Sequence, residues 1–220
     1  EISVYKVNKK ILNKIKIYGF KVATCGIRPF VWIETINSGI EFGNWVRNNE
    51  CNVILPDRYD LYNYILIDVL KKQPIDYLEF GVWKGDSLKY FSALDQNPRS
   101  RFFGFDSFEG LPEDWNWGIG KHSKGTFDVG GKMPIIKDER VHLIKGLFQQ
   151  TLPIFLNSFG AKNQLIIHCD ADLYASTLYI LTCLNNKIIA PGSIIIFDEF
   201  FSYLHEYRAF RDFTNSYMRN

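Results

Sequence analysis

IDYLEFGVWKGDSLKYFSAL, residues 75–94, holds the turn from which the architecture can be built. Ile75–Gly81 reads as a strand and Asp86–Leu94 as a helix, with two glycines between them. Gly81 lets the chain turn tightly and brings backbone close to a ligand, and Gly85 allows close approach near the helix N-terminus. The same alternation continues on the C-terminal side. Arg101–Asp106, Val141–Lys145, Gln164–Asp170 and Ser193–Asp198 read as strands two to five, and helices are expected over 151–158, 174–186 and 204–217. Continuous apolar runs such as LII and SIIIF imply strands buried on both faces, hence a parallel sheet covered by helices. The expected fold is α/β: a Rossmann-like, doubly wound, mainly parallel sheet with helices on both faces.

Toward the N-terminus, Asp57 opens a helix whose Leu61, Ile65 and Val69 share a face broadened by Tyr62 and Leu66, and Gln73-Pro74 stops it. Further back, six lysines surround Val4, Val7, Ile11, Leu12, Ile15 and Tyr18 at helical spacing. That pattern fits a terminal helix docked on its own domain with solvated lysines; a membrane-surface helix is the alternative. The expected organisation is an N-terminal helical extension over 1–55 and one domain over 56–220. Within that domain, residues 107–140 carry six glycines at 110, 118, 120, 125, 130 and 131 and little periodicity. A loop of that length reads as a substrate lid, with a plain surface insertion as the alternative.

Composition removes several function classes. At 46% hydrophobic and 23% charged residues, the 220-residue chain is neither disordered nor fibrous. A net charge of only +2 argues against binding a nucleic-acid backbone. Cys25, Cys51, Cys169 and Cys183 have irregular spacing, which makes neither a zinc signature nor a disulfide framework and suits a reducing, cytoplasmic setting. No apolar run approaches ~18 residues, so stable membrane insertion is not expected.

Two groups of residues carry chemistry. The first is E-x-G-x-x-x-G at Glu79, Gly81 and Gly85, with Asp106 closing the next strand 21 residues after Gly85. A dinucleotide site has a similar layout, but bulky Trp83 and Lys84 inside the turn suit a pyrophosphate poorly. S-adenosylmethionine fits better, because its amino-acid end needs polar partners and its ribose an acid. The second group is His168-Cys169-Asp170-Ala171-Asp172 with Asp198-Glu199. Neighbouring parallel strands deliver these acids to the same sheet edge, and Asp170 and Asp172, two apart, point the same way while the strand lasts. Four gathered carboxylates raise one another's pKa, and an all-oxygen set suits Mg²⁺, Mn²⁺ or Ca²⁺ rather than zinc. Asp172 alone also reads as a helix N-cap. His168, inside an apolar strand, reads as a hydrogen-bonded core residue rather than a ligand.

The ordered series YLEFGVWKGDSL (77–88), FFGFDSFEGLPEDW (102–115), KGTF (124–127), VHLIKGLFQQTLP (141–153), HCDADLYAST (168–177) and PGSIIIFDEF (191–200) resembles the macrocin O-methyltransferase family over about residues 56–213. These are class I S-adenosylmethionine-dependent enzymes that methylate sugar hydroxyls. The resemblance implies strand order 3-2-1-4-5, with the two further strands of the family absent from this chain. It implies that Glu79, Gly81, Val82, Gly85 and Ser87 hold the methionine and ribose parts of the cofactor, and that Asp106, Ser107 and Phe108 contact ribose and adenine. Asp170, Asp198 and Glu199 match the family's divalent-metal ligands, with Mg²⁺ expected, and Asp172 its general base. Glu199 stands where some members have Asp. The expected partner is a small sugar-containing acceptor, and the basic N-terminal helix and an exposed sheet edge are candidate contacts for self-association. Two other readings stay open: an NDP-sugar glycosyltransferase using Asp170-Ala171-Asp172 as its D-x-D, and a non-catalytic cofactor-binding domain.

Overall fold

The computed structural model describes residues 29–49, 55–116, 120–185 and 187–219, so the lysine-rich segment expected as a helix at 4–21 lies outside the described residues. Helix α1 spans Pro29–Asn48, and α2 spans Arg58–Asn63 and runs on as one wider π-helical stretch, Tyr64–Val69. There follow β1 (Ile75–Phe80), α3 (Asp86–Leu94), β2 (Arg101–Asp106), and a two-residue ribbon of β3 (Trp115–Asn116) and β4 (Lys121–His122). The chain then makes β5 (Val141–Lys145), α4 (Phe148–Ser158), β6 (Gln164–Cys169), α5 (Tyr174–Asn185), β7 (Ile194–Phe197) and α6 (Glu206–Tyr217).

Five strands pair in parallel in the order β5-β2-β1-β6-β7, the expected doubly wound arrangement. Side-chain alternation divides the core between the two faces. Tyr77 of β1 packs with Tyr62, Phe91 and Phe102 on one face, and Leu78 and Phe80 pack with Leu152, Ile167 and Ile180 on the other. All six residues of β1 are buried, whereas β5 and β7, each with one neighbour, are largely half-exposed. The apolar run SIIIF therefore marks an edge strand here rather than one covered on both sides.

Asp57 caps α2 as expected, its side chain accepting from the Asp60 N–H at 2.9 Å. The face of this helix differs from the α-helical expectation. Leu70 N–H bonds to the Ile65 carbonyl, a five-residue step that widens the turn and carries Val69 outward to 47% exposure while Tyr62, Ile65, Leu66 and Leu70 stay buried. Helix α1 docks on α6 through Phe42 and Trp45, whose rings meet Tyr207 and Phe200 edge-on at 5.0 and 5.1 Å. Ion pairs Glu34–Arg208 and Glu41–Arg211 tie the same two helices. No helix among the described residues is long and apolar enough to cross a membrane.

Candidate active site

The turn after β1 is built by three close approaches at the carboxyl edge of the sheet. Gly81 has φ +98°, and a Cβ there would stand 1.7 Å from the Asp170 carbonyl oxygen, so only glycine lets the ends of β1 and β6 come together. Asp106, at the end of β2, then pins the turn. Its Oδ2 accepts from the N–H groups of Val82 (2.8 Å) and Trp83 (2.7 Å), and its Oδ1 accepts from Phe108 N–H at 2.7 Å. Trp83 takes a left-handed backbone, φ +49°, and its ring is 42% exposed, edge-on to Phe127.

Above this edge lies a cavity of about 390 Å³, a size usual for small-ligand sites. Gly81, Asp106 and Ser107 line one side of it, and Asp170, Asp172, Asp198 and Glu199 line another, so the two groups of sequence candidates share one space. Leu147 and Phe148, where β5 passes into α4, add apolar wall. The remaining candidates lie outside the lining. Val82 and Phe108 are packed in the core, and the Gly85 backbone faces Pro134 and Ile136. Glu79 is fully buried beneath the cavity, accepting from Ser87 Oγ at 2.8 Å and Tyr77 OH at 2.6 Å.

Among the described residues of 107–140, several line the cavity and are tied to one another. Trp115 pairs with His122 across the β3–β4 ribbon, Leu111 N–H donates to the Thr126 carbonyl while the Leu111 carbonyl accepts from Gly125 N–H, and Glu109 bridges to Asp128. Trp115, His122 and Phe127 line the cavity together with the acids.

The acids come from two strand ends and one helix. Asp170 follows β6, and Asp172 occupies a left-handed conformation at φ +56° before α5; Asp198 and Glu199 follow β7. Such a backbone is costly for a non-glycine residue, and here it aims a carboxylate that is only 9% exposed. Burial, then Glu199 and Asp198, push the Asp172 carboxyl up to about 7. Burial, then Asp198 and Asp172, hold Asp170 well above the usual carboxylate range. Burial and Asp198 also raise Glu199, against the pull of Arg58.

Two further participants gave no distinctive signal in the sequence. Arg58, the first residue of α2, donates from Nη2 to Asp198 Oδ2 at 2.9 Å. Glu206, the first residue of α6, is fully buried, accepts from Glu199 N–H at 2.9 Å on Oε2, and leaves Oε1 without a partner. Burial pushes its carboxyl well up, the Glu199 N–H works against this, and Asp172, Asp198 and Glu199 add to it. An acid in the first turn of a helix is ordinary, and nothing in its local sequence places it under the cluster.

This donor set fits a divalent cation. Ligand atoms of His168, Asp170 and Asp198 lie within 4.8 Å of one another, and His168 Nε2 is buried without a partner. Crowded, mutually raised carboxylates are relieved by a positive charge placed among them.

A family model described as a methyltransferase domain matches residues 78–200, more than half of the chain. Among solved structures, the chain is similar to the calicheamicin methyltransferase CalS11, with 27% identity, a TM-score of 0.56, and coverage of 70% of this chain and 68% of that one. It is similar in fold to the O-methyltransferase NovP, at 21% identity and TM-score 0.54, covering 74% of this chain and 72% of that one. A structure described as cmcI-D160 with Mg and S-adenosylmethionine shares the fold at 20% identity and TM-score 0.52, covering 74% and 62%. No curated protein sequence matches the chain significantly.

Proposed function

Since the chain belongs to this methyltransferase-domain family, we propose that it transfers a methyl group from S-adenosylmethionine to a hydroxyl of a sugar or glycosylated metabolite, assisted by a divalent cation. The observation that carries this reading is that Asp172, pushed up to about 7, lines the same cavity as the Gly81 turn and Asp106. The 27% identity to a calicheamicin methyltransferase supports the same class of chemistry. When bound, the sulfonium supplies an electrophilic methyl carbon and the cation supplies positive charge beside the acceptor oxygen.

The chain's own residues do the rest. Gly81, Asp106 and Ser107 wall the nucleoside side, with Leu147 and Phe148 as apolar contact. Asp170, Asp198 and Glu199 hold the cation. Trp115, His122 and Phe127 offer ring faces to the C–H surface of an acceptor and exclude water. With the cofactor and acceptor bound, Asp172 would receive the acceptor hydroxyl's proton as that oxygen takes the methyl group and S-adenosylhomocysteine is released. A base near 7 is matched to proton transfer at neutral pH.

In a thermal-shift screen, S-adenosylhomocysteine should raise the unfolding temperature and UDP should not. The opposite pattern would make Asp170-Ala171-Asp172 the D-x-D of a glycosyltransferase and sink the proposal. EDTA should abolish methyl transfer to hydroxylated acceptors, and Mg²⁺ or Mn²⁺ should restore it.

A further inference from the structure

Beneath the cavity a run of hydrogen bonds leads from α3 to the acids. Ser87 Oγ and Tyr77 OH donate to the two oxygens of Glu79, and the Tyr77 oxygen lies 2.7 Å from His168 Nδ1. Tyr77, Glu79 and His168 are all fully buried. A phenol has one hydrogen, and here it is spent on Glu79. The hydrogen between Tyr77 and His168 therefore belongs to Nδ1, which leaves Nε2 of the neutral ring with a lone pair. That nitrogen has no hydrogen-bond partner, and the His168 ring brings a nitrogen within 4.8 Å of carboxylate oxygens of Asp170 and Asp198; with Nδ1 engaged by Tyr77, Nε2 is the nitrogen left to bind. A lone pair beside carboxylate oxygens in a dry interior is repulsive unless a proton or a cation lies between them, and a cation relieves the whole cluster at once.

We infer that His168 Nε2 is a ligand of the divalent cation, so that the centre is a mixed nitrogen–oxygen site selecting Mn²⁺ over Mg²⁺ and Ca²⁺. Imidazole suits the later first-row ions, whereas Mg²⁺ and Ca²⁺ call for oxygen donors. Tyr77 and Glu79 act through His168: they set its tautomer and ring orientation, as outer partners of metal-bound histidines do. The inference rests on the cation reading of the acidic cluster and not on methyl transfer itself.

The test is electron spin-echo envelope modulation on the Mn²⁺-loaded full chain, without S-adenosylmethionine or acceptor, alongside calorimetric titration with Mn²⁺ and Mg²⁺. The expected spectrum shows ¹⁴N modulation from a directly bound imidazole, lost in His168→Gln and kept in His122→Gln, a histidine that lines the cavity. Tyr77→Phe, nearly isosteric, should weaken Mn²⁺ binding about 10–100-fold and shrink the preference for Mn²⁺ over Mg²⁺. Mn²⁺ bound without nitrogen modulation, modulation that survives His168→Gln, or no Mn²⁺ binding at all would each overturn the inference. Should His168→Gln fail to fold, the unsubstituted protein and the other two variants still decide. Methyl transfer by a protein whose Mn²⁺ spectrum shows oxygen ligands alone overturns the nitrogen ligand and leaves the proposed function standing.

Discussion

A buried acid and a cluster of acids sit at opposite edges of the same sheet, and their carboxyl pKa values move in opposite directions. Asp76, at the amino end of β1, is fully buried, yet it accepts from Arg101 Nε and Nη2 at 2.8 and 2.7 Å, from Lys162 and Asn163 N–H, and from Asn163 Nδ2. Burial alone would raise its carboxyl, but the Arg101 guanidinium and the two backbone N–H groups hold it below the usual range. At the carboxyl edge, Asp170, Asp172, Glu199 and Glu206 are all raised, with Arg58 as the cation in contact with Asp198. A buried acid with every lone pair answered is part of the scaffold. Buried acids left facing one another mark the place where the molecule expects a charge from outside.

Removing one acid from each edge should break different properties. Asp172→Asn takes away the proton acceptor while preserving shape, so turnover should fall by about 10²–10⁴-fold with S-adenosylhomocysteine affinity nearly unchanged. Retained activity would remove Asp172 as the base. In the active protein, kcat/KM should rise with pH as Asp172 loses its proton, below the value of about 7 that burial and the uncompensated Glu199 and Asp198 give, because a cation on those acids favours the carboxylate. Asp76→Ala should do the reverse. It strands the Arg101 guanidinium and two backbone donors, at a cost of about 3 kcal/mol, read as a lower urea midpoint at constant m-value. Folded molecules of that variant should still bind S-adenosylhomocysteine; loss of binding would mean that the two edges are coupled.

The contrast between the edges was only partly legible in the sequence. Strand β6 was plain from its apolar run Leu165–Ile167 and β1 from its place before the Gly81 turn and a helical stretch, and the acids at 170, 172, 198 and 199 were plain because they follow strands that share an edge. Helix α4 begins at Phe148, ahead of the expected 151, since Leu147 offers no side-chain cap to announce it. Glu79, a cofactor candidate in the sequence, is fully buried. Period-two alternation puts it on the Tyr77 face, inside the core. Asp106 serves the turn through the N–H groups of Val82 and Trp83, a role invisible without knowing that β1 and β2 are neighbours. Arg58 and Glu206 come from helices 140 and eight residues from Asp198, and ordinary residue types at helix starts carry no mark of their tertiary partners.

The two edges should also impose opposite pH dependences on stability. Asp76, with its pKa lowered, contributes stability that is present above the ordinary carboxylate range and lost as pH falls through its lowered value. The raised acids have the opposite sign: the folded state holds protons that the unfolded chain has released. Their contribution is complete below about pH 4 and is lost as pH rises, for Asp172 toward about 7. In EDTA the urea midpoint should therefore decline between about pH 5 and 7, and saturating Mn²⁺ should reverse much of that decline. A midpoint that is flat or rising over this interval in EDTA would show that the acids are not crowded in solution.

The smallest expected effect falls on Arg58. Its side chain is 48% exposed and its contact with Asp198 a single 2.9 Å ion pair, an arrangement worth about 0.2–1 kcal/mol. An arriving cation must share or displace that pair, because both compete for the same oxygen. Arg58→Ala should then tighten divalent-cation binding by about two- to fivefold, and the gain should shrink at high salt, where the exposed guanidinium is already screened. Weaker binding in the variant would give Arg58 a different place in the comparison. It would be a brace that holds Asp198 in position, doing at the carboxyl edge what Arg101 does for Asp76 at the other.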